Sequence, residues 1–587
     1  MVVPDMVYTV NALFAMLARH PSESIFMFTV ARALRLAASV ALIAAAATSN
    51  AQAASPPKQR NIVFVLVDDL RFDSMGFVTP GLKTPNIDSL ASSGVYFPNA
   101  VVTSALCSPS RATILTGQTA RNHGVIDNNE SSEQGLTFFP QYLHAAGYQT
   151  AFIGKWHMGA ASDAPRPGFD YWVSFRGQGS YFPTDGLSPQ QIAAGQKQIL
   201  NVNGKQVEQK GYITDELTDY ALDWLERGRD ASKPFFLYLS HKAVHSEAKP
   251  PQRYGNQYAD LEIKLPASLA DTEANNRGKP MWVRNQRNSW HGADFFYHTD
   301  QSLTDYVRAY YRTLSPVDDS LGRILTYLRK HKIENDTLIV FYSDNGFLFG
   351  DHGLIDKRNA YEPSVRVPMI AYAPELLAKG AVNPARVRNL DLAPTFLDVA
   401  HVPPPAQFEG KSILPVATGK ATPQAWEDDF IYEYYWEWTF PHTPTTFAIE
   451  RGRMKYIQYH GVWDIEELYD LQNDPDEMNN LISDPARLQT KMELRHSLFS
   501  ALANRQGRHV VPFTERLSSG VVYRDKEGTA AAPFPPEWLK SPNAVDRMNG
   551  LFPDSPAKQE AEKAGRPYFP RAEPGAKESA SDTHTLK

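Results

Sequence analysis

Near its start the chain reads Asn61-Ile62-Val63-Phe64-Val65-Leu66-Val67, a continuous, largely β-branched apolar run that stops at Asp68-Asp69. A run of this kind is typical of a central strand in a parallel sheet, where both faces are buried and no polar alternation is needed. We therefore predict a buried strand over 61–67. The two carboxylates would lie where that strand opens into a loop.

Two later segments, 234–240 and 338–343, have the same apolar form and also end at polar residues. Helical patterns occur between these segments, for example over 215–227 and 303–330. Strands that alternate with helices predict an open α/β sheet. Because ligands of such sheets bind beyond the carboxyl ends of the strands, the polar residues after each run mark the expected site.

The bulk composition excludes some classes of function. The 587 residues are enough for two or more domains and a large core. The apolar fraction of 42% and the charged fraction of 21% are ordinary for a globular protein. A formal net charge of −6 argues against a nucleic-acid partner, since such proteins are usually basic. An anionic substrate would need positive charge concentrated in a cleft.

The first 53 residues have the features of an export signal. Two arginines precede an apolar run over 36–47, and Ala51-Gln52-Ala53 supplies a small-x-small cleavage pattern. The apolar run is shorter than the roughly 20 residues that span a bilayer. We predict an N-terminal extension and signal peptide over 1–53, with Met27 as the true start. The mature protein is expected in the periplasm or outside the cell, without a membrane span.

Cys107 is the only cysteine of the chain, so no internal disulfide can form. In an exported protein such a thiol is idle, exposed to oxidation or present for its chemistry. Composition alone favours a small buried hydrophobe, the usual fate of a free cysteine. The context Cys107-Ser108-Pro109-Ser110-Arg111 favours chemistry, because a proline and an arginine follow at fixed offsets. The segment 112–117 is expected to begin a helix.

This pentapeptide, followed by Leu115-Thr116-Gly117, resembles the signature of the type I sulfatases, the formylglycine-dependent branch of the alkaline phosphatase superfamily. Matching segments recur in family order from about 61 to about 481. Those at 167–172, 212–219 and 356–362 are similar to bacterial glycan sulfatases, including N-acetylglucosamine-6-sulfatase-like members.

The resemblance implies an α/β fold with a large mixed, mostly parallel sheet flanked by helices. This alkaline phosphatase-like catalytic domain would occupy 54–425, and a smaller domain with an antiparallel sheet would occupy 426–555. The tail over 556–587 is rich in Lys, Glu, Pro, Ala and Ser and is expected to be disordered.

Asp68-Asp69 has a counterpart in Asp344-Asn345, which follows the third apolar run. Three carboxylates and an amide form an all-oxygen ligand set, which favours calcium or magnesium over zinc. One such pair alone is equally well a helix cap or a solvated turn. Two pairs after two buried strands favour a cation site. The resemblance implies that one Ca²⁺, with Mg²⁺ as the alternative, is held by Asp68, Asp69, Asp344, Asn345 and the modified Cys107.

Two-zinc phosphatases of the same superfamily are the main competing interpretation. They place Asp-His where this chain has Asp344-Asn345, and they use serine or threonine as the nucleophile. Imidazole suits zinc and is missing from that position. Asp351-His352 follows a few residues later and is interpreted as a loop or substrate-side group.

Lys155 and His157 follow a predicted strand over 148–153, and residues two apart on an extended segment point the same way. The resemblance implies that Lys155 holds the aldehyde hydrate and binds sulfate, while His157 takes a proton from the hydrate to expel sulfate. Arg111 is one turn from Cys107 if the pentapeptide opens a helix. Arg111 would stabilise the deprotonated hydrate. The alternative interpretation is that Arg111 forms an ion pair on the surface.

His245 matches the family histidine placed near the leaving-group oxygen, which His245 or Lys357 would protonate. His241 lies nearer to the strand over 234–240 and is the alternative, and Lys242 could line the same cleft. The Lys-Ala-x-His spacing of the family favours His245, since a general acid needs reach as well as a suitable pKa. Lys357 matches the second sulfate-binding lysine of the family. The alternative interpretation is that Lys357 is a solvated lysine in a loop.

Two polar segments, 182–210 and 253–298, are predicted to be long irregular loops that wall the substrate cleft. Their aromatic residues either stack on sugar rings or anchor the loops, and the sequence favours neither role. The four residues concerned are Tyr181, Phe182, Trp282 and Trp290.

The resemblance therefore implies an exported sulfatase that hydrolyses a sulfate monoester on a sulfated carbohydrate or polysaccharide. A formylglycine-generating enzyme would convert Cys107 to 3-oxoalanine (formylglycine) during maturation. One alternative is a phosphonate monoester hydrolase or phosphodiesterase of the same superfamily. The other is a protein that binds sulfated glycans without cleaving them, against which stand ten site positions with usable side chains.

Overall fold

The computed structural model describes residues 59–128, 135–158, 162–426, 429–437, 439–460, 464–504, 508–511 and 522–525. The predicted signal peptide, the start at Met27 and the tail from 556 lie outside these residues and stay predictions. The domain boundaries also stay predictions. Within the described ranges, no helix is long and apolar enough to cross a membrane.

A ten-stranded sheet forms the centre of the fold. Its strands are β1 (Asn61–Val67), β2 (Val95–Tyr96), β3 (Gln149–Lys155), β4 (Tyr171–Phe175), β5 (Ile199–Val202), β6 (Lys205–Glu208), β7 (Phe235–Ser240), β8 (Thr337–Ser343), β9 (Met369–Tyr372) and β10 (Ala381–Val382). They lie in the order β10-β2-β9-β8-β1-β7-β3-β4-β5-β6. The five strands from β8 to β4 are parallel, and antiparallel pairs join on both sides. The large mixed, mostly parallel sheet is confirmed.

β1 lies between β7 and β8, where Val63 pairs with Leu237 on one side and with Ile339 on the other. Its side chains alternate between two hydrophobic cores, with Phe64 in one and Val65 in the other. Alternate side chains of a strand face opposite sides of the sheet, so a strand covered on both faces must be apolar throughout. This arrangement explains why the run over 61–67 shows no polar alternation.

The helices are α1 (Pro85–Ser93), α2 (Cys107–Thr116), α3 (Ala120–His123), α4 (Phe139–Ala145), α5 (Pro189–Ala193), α6 (Ile213–Asp223), α7 (Glu273–Asn276), α8 (Met281–Asn285), α9 (Leu303–Lys330), α10 (Glu362–Val365), α11 (Leu392–Val399), α12 (Leu414–Ala417) and α13 (Leu488–Asn504). The predicted bounds of α9 are confirmed. The helix predicted over 215–227 is α6 followed by a π-helical turn, Trp224–Gly228.

A second, antiparallel sheet contains β11 (Phe430–Tyr434), β12 (Thr446–Arg451), β13 (Met454–Tyr459) and β14 (Glu467–Asp470). Leu498 of α13 packs with Ile449 in the core beneath it. A further antiparallel pair is formed by β15 (Arg508–Val511) and β16 (Val522–Asp525). The smaller antiparallel sheet expected toward the C-terminus is therefore confirmed.

Lys455 of β13 connects the second sheet to the loop that follows β8. Its buried ammonium donates to the Ala360 carbonyl at 2.9 Å, to Glu362 Oε1 at 2.6 Å and to Glu477 Oε1 at 2.9 Å. A buried charge requires such partners, because burial removes its hydration. Two of these partners, Ala360 and Glu362, come just after Lys357, so the second sheet fixes the segment that carries this lysine.

The segment 182–210 is more regular than predicted. It contains α5 and the hairpin β5–β6, which extends the large sheet at one edge. The hairpin turns at Asn203-Gly204, where φ is 50° and 84°. Asn-Gly favours this two-residue turn with two positive φ angles, so the sequence contained the signal. The segment 253–298 contains α7, α8 and short turns and is otherwise irregular, as predicted.

The helix expected to begin within 112–117 begins earlier, at Cys107, and ends before Gly117. Gly117 has a φ of 64°, the left-handed conformation common after the last helical residue. Pro109 does not delay the start, because a helix leaves the N–H groups of its first turn unpaired and proline lacks one. The prediction of a helix is therefore confirmed, and the predicted position of its first residue is wrong.

Candidate active site

The residues that follow β1 and β8 meet at the carboxyl edge of the large sheet. The Asp69 N–H donates to Asp344 Oδ1 at 3.0 Å, and Asn345 Nδ2 donates to Asp69 Oδ1 at 2.6 Å. β1 and β8 are parallel neighbours, so their ends lie side by side. This pairing brings together the four residues that the sequence predicts to share one site, including Asp68.

Two adjacent carboxylates reach the same place because the chain turns between them. β1 ends at Val67, and Asp69 has a φ of 61°, in the left-handed region. Tyr310 of α9 holds this turn, because its hydroxyl donates to the Asp69 carbonyl at 2.6 Å and accepts from the Arg71 N–H at 2.9 Å. Tyr310 is not among the predicted site residues, because no local sequence pattern connects it to residue 69.

Cys107 is the first residue of α2 and is fully buried, but its neighbours are charged. Its Sγ lies 3.3 Å from Lys357 Nζ, 3.6 Å from Lys155 Nζ and 3.5 Å from Asp68 Oδ1. Burial raises the pKa of the thiol to about 12 against the effect of the two lysines. The unmodified thiol is thus protonated at neutral pH, and its environment is not that of a buried hydrophobe.

Arg111 lies one turn further along α2 and is buried, which excludes a surface ion pair. Its Nε and Nη2 approach Asp344 Oδ2 at 2.9 Å and 2.8 Å. Its Nη1 donates to Ser240 Oγ at 2.8 Å and to the Lys155 carbonyl at 2.6 Å. One guanidinium therefore joins the ends of β8, β7 and β3. Ser240 is not among the predicted site residues, although it ends the predicted strand over 234–240.

Lys155 is the last residue of β3, and its ammonium forms a buried ion pair with Asp68. His157 has a φ of 48°, so the extended alternation on which the prediction relied does not continue to it. Its imidazole is nevertheless buried near the same charges. Burial, followed by the positive charges of Lys155 and Arg111, holds the pKa of His157 well below its usual value. The ring is therefore uncharged at neutral pH, the state that a proton acceptor needs before it acts.

His245 and His241 occupy different environments. His245 Nε2 lies 3.8 Å from Asp69 Oδ2, and its Nδ1 lies 2.6 Å from the Ser246 carbonyl, which requires a proton on Nδ1. His241 Nε2 instead lies 3.1 Å from the hydroxyl of Ser320 on α9. Of the two histidines, His245 is the one beside the carboxylates, and His241 packs behind them.

Lys357 is buried, not solvated, and its ammonium forms an ion pair with Asp69. The next residue, Arg358, fixes the loop by donating to Glu437 Oε2 at 2.6 Å and to Asp356 Oδ1 at 2.9 Å. Together with the Lys455 contacts, these bonds hold both sides of Lys357. All six residues predicted to act in catalysis lie around the carboxylates: Cys107, Arg111, Lys155, His157, His245 and Lys357.

The carboxylates of the cluster differ in their protonation. Burial, and then repulsion from Asp68, raises the pKa of Asp344 to about 7. Burial also raises the pKa of Asp69. At Asp68 the surrounding positive charges, Lys155 foremost, outweigh burial and hold the pKa well below its usual value. A divalent cation would favour the charged form of all three.

The donor set fits a hard divalent cation. Asp69 Oδ2 and Asn345 Oδ1 are buried and have no hydrogen-bond partner among the described residues, although buried oxygens normally have one. Oxygen ligands suit calcium and magnesium. Asp344 is already engaged by Arg111 and by the Asp69 N–H. One ligand atom from each of four residues lies within 4.8 Å of the others: Asp68, Asp69, Cys107 and His245.

The remaining candidates lie outside this cluster. Asp351 Oδ2 pairs with Arg71 at 2.6 Å, and the buried His352 ring lies 4.3 Å from Tyr361. Their position in a loop agrees with the prediction, and a substrate-side role does not fit these internal contacts. Tyr181 and Trp282 are buried against other aromatic rings and anchor the loops, whereas Phe182 and Trp290 are half-buried.

The comparisons with known proteins agree with this geometry. The Sulfatase family profile matches residues 60–402, and the profile of the N-sulphoglucosamine sulphohydrolase C-terminal region matches 350–504. An N-acetylglucosamine-6-O-sulfatase of Bacteroides thetaiotaomicron is 32% identical over 522 residues, covering 78% of this chain and 90% of the relative. A multifunctional alkaline phosphatase superfamily protein of Trinickia caryophylli is 28% identical over 479 residues, covering 73% of this chain and 92% of the relative.

One similar solved structure contains a sugar. It is a protein in complex with its substrate D-glucosamine-2-N,6-O-disulfate, with 30% sequence identity and a TM-score of 0.68. The match covers 76% of this chain and 97% of that one. From the family profile, which spans more than half of the chain, and from these relatives, we conclude that the protein belongs to the sulfatase family of sulfuric ester hydrolases, within the alkaline phosphatase superfamily.

Proposed function

We propose that this protein is an exported, calcium-dependent sulfatase that removes the 6-O-sulfate of a glucosamine-type sugar in a sulfated glycan. The observation that carries the choice of sugar is the similar solved protein, whose substrate is D-glucosamine-2-N,6-O-disulfate. The N-acetylglucosamine-6-O-sulfatase relative supports the same substrate class. The export signal predicted over 1–53 supports an extracellular or periplasmic glycan.

The charges around Cys107 suit a sulfate monoester. Lys155 Nζ and Lys357 Nζ both lie close to its Sγ, at 3.6 Å and 3.3 Å. Sulfate carries negative charge that repels a nucleophile, and fixed cations that neutralise this charge stabilise the transition state. Arg111 positions the ends of three strands around the same point. We assign the two lysines to the binding of the transferred sulfate.

The cation would be held by Asp68, Asp69, Asp344, Asn345 and the modified residue 107. When bound, it neutralises sulfate oxygens and stabilises charge that develops during transfer. All the side-chain donors, including the hydroxyl groups of the modified residue 107, offer oxygen, which favours calcium and leaves magnesium as the alternative.

Residue 107 would act as formylglycine, made from Cys107 by a formylglycine-generating enzyme before folding buries the thiol. One deprotonated hydroxyl of the hydrated aldehyde would attack sulfur, so that an O–S bond to residue 107 forms as the S–O bond to the sugar breaks. The second hydroxyl would then lose its proton and restore the C=O bond as the C–O bond to sulfate breaks, without attack of water on sulfur. His157, held neutral, would take the proton of that second hydroxyl. His245 would protonate the departing alcohol from Nε2, because its Nδ1 proton is bonded to the Ser246 carbonyl. Burial holds the pKa of His245 well below its usual value, so Nε2 must first take up the proton that it donates.

The substrate proposal is tested with a panel of monosaccharides that differ only in the position of the sulfate. We expect the purified, matured protein to release sulfate from N-acetylglucosamine 6-sulfate with a kcat/KM at least about 100-fold higher than for 2-O- or 4-O-sulfated sugars. Equal rates on all positions, or a preference for another position, would contradict the choice of sugar.

A phosphonate monoester hydrolase or phosphodiesterase of the same superfamily is the alternative, and the relative from Trinickia caryophylli is described only as a multifunctional member of that superfamily. A comparison of kcat/KM on 4-nitrophenyl sulfate and on 4-nitrophenyl phenylphosphonate distinguishes the two candidates. These esters share a leaving group, so their ratio reports recognition of the transferred group alone. A higher kcat/KM for the phosphonate would favour this second candidate.

Replacement of His245 by alanine is expected to affect poor leaving groups most. A sugar alkoxide needs a proton as it departs, whereas 4-nitrophenolate does not. We expect kcat/KM to fall about 100-fold or more for the sugar 6-sulfate and less than about 10-fold for 4-nitrophenyl sulfate.

His241→Asn is the matched control, because His241 follows the same strand and bonds to Ser320 behind the site. It should lower both activities equally, if it lowers them at all. If the leaving-group dependence appears in the His241 variant and not in the His245 variant, the assignment of the two histidines is reversed.

A further inference from the structure

Lys242 is a buried cation of the cleft that the catalytic scheme does not use. It lies in the loop after β7, beside the end of β1. The Asp68 N–H donates to the Ala243 carbonyl at 2.9 Å, and the Val244 N–H donates to the Asp68 carbonyl at 2.8 Å. These bonds continue the β1–β7 pairing beyond both strands, so Lys242 lies next to the carboxylates.

The ammonium of Lys242 has no anionic partner in the described part of the chain. The side chain is 4% exposed, and Nζ makes no hydrogen bond or ion pair with any residue that the structure describes. Its close contact is the ring face of Tyr181, 4.7 Å from Nζ to the centroid. The Tyr181 hydroxyl donates to the His245 carbonyl at 2.7 Å. The lysine and the proposed leaving-group acid therefore share one supporting side chain.

The acidic groups near Lys242 form ion pairs or hydrogen bonds with other residues. The side chains whose charges reach it are Lys155, Asp68, Asp69 and Asp185. Asp68 pairs with Lys155, and Asp69 pairs with Lys357. Asp185 accepts from the N–H groups of Tyr181 and Phe182 and lies 3.4 Å from Lys249 Nζ.

A buried cation without a contacting counter-charge is unfavourable, and burial accordingly lowers the pKa of Lys242 to about 8. An anion bound at this point would remove that cost. The transferred sulfate already has Lys155 and Lys357 at residue 107, whereas Lys242 makes no hydrogen bond with Cys107 in the described part of the chain. The free cation is thus available to a different group of the substrate.

Resting on the proposed function, we infer that Lys242 binds a second anionic group of the substrate, separate from the sulfate ester that is cleaved. The group is an oxyanion carried by the leaving sugar, either a second sulfate or a carboxylate. His245 is assigned to the departing alcohol, and Tyr181 links Lys242 to His245, so the sugar is the part of the substrate that this cation can reach. The cleft would then select multiply charged glycans.

The test compares substrates that share the 6-sulfate and differ by one charge. D-glucosamine 2-N,6-O-disulfate carries an N-sulfate where N-acetylglucosamine 6-sulfate carries a neutral acetyl group. A 6-sulfated N-acetylglucosamine joined to a uronic acid provides the carboxylate arm. We expect the wild-type protein to prefer one charged substrate over the neutral one. In Lys242→Met that ratio of kcat/KM values should fall about 10- to 100-fold, the worth of a charged hydrogen bond.

If Lys242→Met loses the preference for the N-sulfated sugar, the anion is a sulfate. If it loses the preference for the substrate with a uronic acid, the anion is a carboxylate. Lys242→Arg keeps the charge and should retain most of the preference. Lys249→Met, in the same loop, is the matched control and should leave the ratio unchanged. Each ratio is measured within one variant, so a loss of folded protein cancels. An unchanged ratio in Lys242→Met, even with both rates lowered, would overturn the inference. A wild-type protein inactive on all three sugars would overturn the proposed function, and this inference with it.

Discussion

Replacement of Cys107 by alanine is expected to abolish turnover, lowering kcat on 4-nitrophenyl sulfate at least about 1,000-fold. Alanine cannot be oxidised to an aldehyde, so neither hydroxyl of the hydrate forms. The surrounding cations would remain, because Lys155 and Lys357 are also paired with Asp68 and Asp69. The variant should therefore still bind sulfated sugars, which separates a lost nucleophile from a lost site.

Ile114→Val on the same helix is the matched control. Ile114 is fully buried in α2, and removal of one methyl group there costs about 1 kcal/mol of stability without touching the cluster. It should keep near-normal kcat. A Cys107→Ala protein that turns over at near-normal rates would contradict the proposed chemistry. If the wild type itself only bound sulfated glycans, the protein would be the non-catalytic alternative.

Replacement of Asp69 by asparagine is expected to lower kcat/KM about 100-fold or more and to remove bound calcium. Asp69 contributes the buried Oδ2 that has no hydrogen-bond partner among the described residues, and its Oδ1 accepts from Asn345 and Lys357. An amide keeps the shape but removes the charge that attracts the cation. Metal content of dialysed protein, measured by inductively coupled plasma mass spectrometry, is the readout beside activity.

Asp73→Asn is the control, because Asp73 lies in the same loop and pairs with Arg71 at 2.9 Å, away from the cluster. It should retain one calcium per chain and near-normal activity. In the wild type, chelation should remove activity and added calcium should restore it. An Asp69 variant with full calcium content and normal kcat/KM would show that the cation is held elsewhere.

The centre of the fold could be predicted because its sequence signals are local. The apolar runs over 61–67, 234–240 and 338–343 became β1, β7 and β8 within one residue at their ends. A strand buried on both faces has no alternative to an apolar sequence. The hairpin β5–β6 at the sheet edge is mostly polar, and only its Asn203-Gly204 turn marked it.

The site could be predicted as a set of residues and not as a geometry. The resemblance supplied the ten positions, and the ends of parallel neighbours explain why Asp68 and Asp344 meet. The positive φ angles of Asp69 and His157 could not be predicted, because tertiary contacts impose them against the preference of L-residues. The role of Ser240 likewise depends on Arg111, which is distant in sequence.

The most direct test of the central claim is the mass of the peptide that spans residue 107, from protein made together with a formylglycine-generating enzyme. We predict that this peptide is lighter than the cysteine peptide, because one oxygen replaces the sulfur and two hydrogens are lost. The hydrated form is heavier than the aldehyde by one water. A peptide that keeps the thiol mass in fully active enzyme would contradict the account.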